Sequence, residues 1–190
     1  KIRYPACSNH YAWQVCEGLW VSQRCRFTSY VAAQPLYNIL NRDAELELLP
    51  LCDKHQLGVI TYSPLARGVL AGKYTVGKAP PDDSRAGRGD RRIQETEYRD
   101  ESLAIVPSIT PLAEAHSATL TQFSLAWMLA NPLITSTIVG PRLMEQLEDN
   151  LGALHVSITD EDGAAIDTLV PRGEHTGKGY DAPQYPVRDR

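Results

Sequence analysis

The sequence predicts an α/β fold of parallel strand–helix units, and three observations carry that prediction. Short apolar runs such as residues 59–62 and 135–140 alternate with segments of helical periodicity, and four such units follow one another along the chain. Each apolar run ends in polar or aromatic residues where a loop begins, which places chemistry at one rim of a sheet. Hydrophobic residues make up 43% of the 190 and charged residues 22%, enough to bury a sizeable core.

The first unit joins a strand over residues 2–8 to a helix over 12–25, where Trp13, Val15, Cys16, Leu19, Trp20 and Gln23 recur on one face. The second joins a strand over 30–34 to a helix over 43–55. Asp43, Glu45 and Glu47 suit its positive end, and Pro50 should bend or break it. The third starts at 59–62, crosses a glycine-containing loop and a long polar stretch, and enters a helix announced by Thr119 and Gln122 at capping-box spacing; Pro132 ends it. The fourth is a strand over 135–140 and a helix over 144–151. A last helix follows Thr159-Asp160-Glu161-Asp162. Four βα units amount to half of a closed barrel.

Two segments fall outside this alternation. Residues 75–101, rich in Pro, Gly and alternating charge, read as a mobile surface loop: either a tolerated insertion or a lid over whatever binds beside residues 63–73. Within it, Arg85, Arg88, Arg91 and Arg92 read as a solvated cluster. Residues 171–190 read as an extended tail, leaving one domain over 1–170.

Composition removes several function classes. With a net charge of −4 and no long Lys/Arg run, nucleic acid is not an expected partner. No apolar run reaches the ~18 residues of a membrane span, and no signal-type segment follows Lys1, so a cytoplasmic location is expected. Cys7, Cys16, Cys25 and Cys52 lack metal-ligand spacing with any His and are expected as reduced thiols. Cys7 stands apart, since it immediately precedes Ser8-Asn9 at a strand end.

The segment GVITYSPLARGVLAGKY, residues 58–74, is the most informative. Its strand delivers an aromatic ring at Tyr62, and Gly68 and Gly72 bring bare backbone beside Arg67 and Lys73, a setting suited to a pyrophosphate. Ser8, Asn9 and Gln34 end the preceding strands. A hydroxyl and two carboxamides can satisfy a flat amide, and an aromatic face can stack on a heteroaromatic ring, so the set suits a nicotinamide. Arg142 lies just ahead of the helix start near Met144, where backbone N–H groups and a guanidinium favour a phosphate.

These residues sit in longer strings. KIRYPACSNHYAWQ, VAAQPLYNILNRDAELELLPLCDKHQLGV, the segment at 58–74 and LAWMLANPLITSTIVGPRLMEQLEDNLGAL together resemble the second half of the (β/α)8 barrel of the aldo-keto reductase superfamily, in order, over residues 1 to about 170. The resemblance implies a TIM-type half barrel and an NADP(H) site. In it Ser8, Asn9 and Gln34 hold the nicotinamide carboxamide, Tyr62 stacks on its ring, and Ser63, Leu65, Gly68 and Lys73 follow the pyrophosphate. Gly140, Arg142 and Gln146 approach the adenosine 2′-phosphate and Asn150 the adenine. Pro141, where the family commonly has Ala or Ser, removes one backbone donor.

The family's Asp–Tyr–Lys–His catalytic tetrad belongs to the other half, so no catalytic residue is assigned here. The resemblance therefore implies an NADP(H)-dependent oxidoreductase acting on carbonyl or alcohol substrates, lacking its tetrad and taking a small carbonyl substrate only when another chain completes it. The alternatives are a non-catalytic nucleotide-binding or interaction module, and an enzyme of different chemistry on the same scaffold that uses Tyr62, Cys7 or His10. Open sheet edges further predict a homo-oligomer.

Overall fold

A computed structural model of the chain describes residues 2–176. Four strands, β1 (Ala6–Ser8), β2 (Ala32–Gln34), β3 (Gly58–Thr61) and β4 (Ser136–Thr137), form one parallel sheet in sequence order. The register aligns Cys7 with Ala33 and Ala33 with Val59. Parallel partners share a face, and these three are buried in one core with Val15, Leu49, Cys52, Phe123 and Met128 from the helices. The opposite face is open: Ala6, Ser8 and Ser136 are exposed, and Gln34, Gly58 and Ile60 half-buried. A parallel sheet covered by helices on one face alone is a half barrel, as the strand–helix alternation predicts.

The strands are shorter than expected. Pro5 lacks an N–H, so β1 begins after it, although its carbonyl still accepts from the Val31 N–H at 3.0 Å. The expected strand over 135–140 pairs only as far as Ile138, whose N–H donates to the Thr61 carbonyl at 2.9 Å. Beyond it Gly140 and Pro141 leave the ladder.

Helix α1 (Ala12–Cys25) has the expected bounds but a divided face. Ala12 and Val15 are buried, whereas Trp13 and Trp20 stay more than half exposed, at 55% and 56%. The expected helix over 43–55 is two pieces, a 3-10 turn at Asp43–Glu45 and α2 (Leu48–Lys54). Pro50 is the third residue of α2, within the first turn, where its missing N–H has no intrahelical partner to lose.

The segment 75–101 is not simply a surface loop. It contains α3 (Arg91–Glu95), capped by the Asp90 carboxylate, and it returns Ala86, Ile93, Thr96 and Glu97 to the interior. A helix absent from the sequence reading follows, α4 (Asp100–Ala115), despite Pro107 and Pro111 inside it. Leu103, Val106, Ile109 and Ala113 recur at helical spacing and are buried, while both prolines, four residues apart, lie on the exposed face.

The capping boxes of α5 (Leu120–Leu129) and α7 (Asp160–Leu169) are as expected: Thr119 Oγ1 accepts from the Gln122 N–H at 3.1 Å and Thr159 Oγ1 from the Asp162 N–H at 3.2 Å. Between them α6 (Met144–Gly152) packs on α5.

The start of the expected tail is tied down. The Arg42 N–H donates to the Glu174 carbonyl and the Thr176 N–H to the Leu40 carbonyl, each at 2.9 Å. Arg42 itself is a buried clasp: its guanidinium meets Glu45 at 2.9 Å, Asp167 at 2.7 Å and the Val170 carbonyl at 2.6 Å, and lies over the Trp127 ring. Residues 177–190 of that tail lie outside the described residues.

Candidate dinucleotide site

At the carboxyl ends of β3 and β4 the chain forms a cleft of about 510 Å³. Nine of the residues singled out in the sequence line it together: Tyr62, Ser63, Leu65, Gly68, Lys73, Gly140, Arg142, Gln146 and Asn150. They come from the loop after β3, the loop after β4 and α6, segments separated by about half the chain and brought together because β3 and β4 are paired neighbours.

Ser8, Asn9 and Gln34 do not line this cleft; they adjoin it at the strand ends. Tyr62 connects the two groups, because its hydroxyl donates to Asn9 Oδ1 at 2.8 Å across the end of β2. Ser8 Oγ donates to the Gln34 carbonyl at 2.9 Å. Asn9 takes a left-handed backbone, φ 57°, which turns its carboxamide over the sheet end.

The loop after β3 departs from ordinary backbone at several points. Ser63, Ala66 and Arg67 have φ of 54°, 45° and 54°, and Gly68 has φ 106°. Only the glycine adopts this conformation without steric cost. Arg67, expected as positive charge beside the ligand, does line the cleft, but its guanidinium is already paired. Its Nε lies 3.2 Å from Glu97 Oε2 and 3.3 Å from Thr96 Oγ1, and its side chain is buried. Thr96 Oγ1 also donates to Glu97, whose other oxygen is buried without a partner. Lys73 remains exposed at the cleft.

On the opposite wall, Gly140 presents bare backbone with open space where a Cβ would lie. Arg142 is exposed, and Nη2 reaches the Asp83 carbonyl at 3.3 Å. Its N–H is not free for a phosphate, because Gln146 Oε1 accepts it at 2.8 Å. Gln146 therefore shapes the start of α6 as well as lining the cleft. The helix-start anion site expected there thus loses the Arg142 N–H and keeps its guanidinium.

Among the lining residues the sequence reading missed are Tyr74, Ser84, Arg85 and Arg88. Of the basic cluster read as solvated, Arg85 and Arg88 in fact face the cleft, and Arg88 Nη1 donates to the Asp83 carbonyl at 2.7 Å. Their signal was the excess of arginine in 85–92, which says nothing about direction until the loop folds back. Asp149, held by Thr119 Oγ1 at 2.9 Å, adds a carboxylate beside Asn150.

Cys7 and His10, two of the candidates for other chemistry, are placed as well, as is the buried Tyr37. Cys7 faces the core, away from the cleft; burial raises its thiol above the ordinary value, the opposite of an activated nucleophile. His10 is exposed, with Nδ1 3.0 Å from the Ser8 carbonyl. Tyr37 is fully buried against Trp127, and burial, with the Glu45 carboxylate 2.7 Å from its hydroxyl, drives its phenol well above the usual range. It is no proton donor to a solvent-facing substrate. Among the described residues no group of three or more His, Cys, Asp or Glu could hold a metal ion, and no helix is long and apolar enough to cross a membrane.

Comparison with known proteins agrees with this geometry. The sequence model of the Aldo/keto reductase family matches residues 1–171. An uncharacterized oxidoreductase of Bacillus subtilis (strain 168), YrpG, is 30% identical over 184 residues, covering 97% of this chain and 52% of the relative. A probable voltage-gated potassium channel subunit beta of Arabidopsis thaliana is 34% identical over 154 residues, 80% of this chain and 47% of that one. The probable aldo-keto reductase 1 of Glycine max is 35% identical over 149 residues, 78% and 42% respectively. The chain thus spans about half the length of the curated relatives it matches. With a parallel half barrel, a cleft at the carboxyl ends of its strands and a family match over nine-tenths of its length, this chain belongs to the aldo/keto reductase family.

Proposed function

We propose that this chain carries the dinucleotide side of an aldo-keto reductase and binds NADP(H) in preference to NAD(H). The observation that carries the reading is one cleft holding an aromatic ring at a strand end (Tyr62), bare backbone (Gly68, Gly140) and a basic wall (Lys73, Arg85, Arg88, Arg142). Such a set fits an amphipathic, polyanionic ligand with a flat heteroaromatic end, and the family uses nicotinamide cofactors. Tyr62 would stack on the nicotinamide, with Ser8, Asn9 and Gln34 around its carboxamide. Ser63, Leu65, Gly68 and Lys73 would follow the pyrophosphate, and Arg142 with Gln146 and Asn150 would take the adenosine 2′-phosphate and adenine. When bound, the cofactor supplies or accepts a hydride at a carbonyl or alcohol carbon.

The chain's own residues bind and orient; among the described residues none is a positioned acid. Reduction of a small carbonyl substrate in this reading requires a second polypeptide segment that brings the catalytic tetrad and closes the open sheet face. The exposed apolar residues Trp13 and Trp20 on α1 and Leu143 and Met144 at α6 support association to larger assemblies. Its four cysteines are free thiols, which suits a cytoplasmic setting.

Calorimetry tests the cofactor assignment directly. NADPH should bind more tightly than NADH, and Arg142→Ala should abolish the difference while leaving NADH unchanged, a loss of about 10–100-fold for one charge-assisted contact. Failure to bind either nucleotide would sink the reading. The likeness to a potassium channel β subunit supports a second one, a nucleotide-binding interaction module, favoured if NADPH binds but is never oxidised even in a completed barrel.

A further inference from the structure

We propose that Asn38 is a positioning residue for the dinucleotide: by a single side-chain hydrogen bond from the turn after β2 it holds the loop after β3 in the conformation that faces the cleft. The inference rests on the NADP(H) reading above and adds a residue that neither lines the cleft nor touches ligand.

Asn38 is 1% exposed, and every polar atom of its side chain is used. Oδ1 accepts from the Leu40 N–H at 2.9 Å and the Asn41 N–H at 3.1 Å, closing a local turn that main-chain bonds between Asn38 and Asn41, also 3.1 Å, hold from the other side. That rigidity is spent on one long-range contact. Nδ2 donates to the Ser63 carbonyl at 3.0 Å, 25 residues away.

Ser63 is where such a contact matters. It precedes Pro64, a position whose sterics favour extended backbone, yet it takes φ 54°, and it is followed by two more left-handed non-glycine residues, Ala66 and Arg67. Strained backbone persists only where its surroundings over-determine it. The Ser63 carbonyl accepts from two donors, Asn38 Nδ2 and the Ala66 N–H at 2.9 Å, which fixes the plane of the Ser63–Pro64 peptide. That plane sets how Tyr62 on one side and Leu65 to Gly68 on the other are presented. Ligand binding then does not have to order the loop.

The two ends of the side chain can be separated. Asn38→Asp keeps the acceptor for Leu40 and Asn41 and loses the donor to Ser63. Asn38→Ser keeps a shorter acceptor for the turn, adds no charge, and cannot reach Ser63. Each variant is titrated with NADPH and, separately, with adenosine 2′-monophosphate, which lacks the nicotinamide and pyrophosphate and reports only the wall formed by Arg142 and Asn150. The expected result is a split. The NADPH dissociation constant rises about tenfold, the scale of one hydrogen bond, and that of adenosine 2′-monophosphate stays within about twofold.

Equal weakening of both ligands would show a general structural role and overturn the proposal, as would unchanged NADPH binding in a folded variant. If Asn38→Asp melts before titration, the Asn38→Ser result decides. Wild-type chain that binds neither ligand fails the dinucleotide reading itself, which is distinguishable from wild-type binding with no split in the variants.

Discussion

The hydroxyl of Tyr62 donates to Oδ1 of Asn9 at 2.8 Å, tying the end of β3 to the end of β1 across β2. The bond brackets Gln34, which ends the strand between them, so three residues 25 and 28 apart in sequence act as one surface. It also fixes the Tyr62 ring without using its face.

Tyr62 therefore has two separable parts. Tyr62→Phe, which keeps the ring and frees Asn9, should change NADPH affinity by less than about threefold. Tyr62→Ala should cost ~1–3 kcal/mol, the scale of one lost base–aromatic stack. Titration calorimetry of both variants checks this, and equal losses would mean that the hydrogen bond, not the ring face, carries the contact.

The chain alone should not reduce aldehydes at rates typical of its family. Hydride transfer builds negative charge on the carbonyl oxygen, and a positioned general acid contributes about 10²–10⁴-fold. Tyr37 is buried, and the Tyr62 hydroxyl already donates to Asn9 Oδ1. NADPH oxidation with 4-nitrobenzaldehyde should stay near the background rate, and should appear on mixing with a separately expressed segment that carries the tetrad. Robust turnover by the chain alone would point to Tyr62 or His10 as acid, separable by Tyr62→Phe and His10→Ala.

Stability should fall on acidification below the ordinary carboxylate range. Burial pushes the Asp162 carboxyl up, but the Thr159 backbone N–H, His116 and the Thr159 hydroxyl together hold it below its usual value. Asp167 is likewise lowered, burial being outweighed by Arg42 and Arg172. A depressed folded pKa contributes stability that is fully present above the unfolded value of about 4 and is lost as pH falls through the folded one. Melting temperatures from pH 6 down to pH 2 (about 4 units) should show this decline, and Asp162→Asn should lower the pH 6 value and flatten the acid limb. An unchanged acid limb in that variant would remove Asp162 from the account.

Self-association is expected of the isolated chain. Strands β1 and β4 are the sheet edges, and Trp13, Trp20, Leu151 and Leu154 on the helices are more than half exposed. Light scattering at micromolar concentration should give a mass above that of one 21.0 kDa chain. A compact monomer would count against it.

Local chemistry alone determined much of this protein. Thr119/Gln122 and Thr159/Asp162 announce helix starts because a cap is satisfied within four residues, and the 58–74 segment declares its strand and loop because β-branched residues and glycines act at their own positions. Helix α4 was not read from the sequence; two prolines interrupt its pattern, and only packing shows that both lie on its exposed side. Charge could be counted in the sequence but not aimed: Arg67 lines the cleft already paired with buried Glu97, while Arg85 and Arg88 reach it only once the loop folds back. Asn38 had no local signal at all. Its role depends on a bond to a carbonyl 25 residues away, and such a partner exists only after β2 and β3 have paired, because a hydrogen bond is decided by direction and distance in space rather than by residue type.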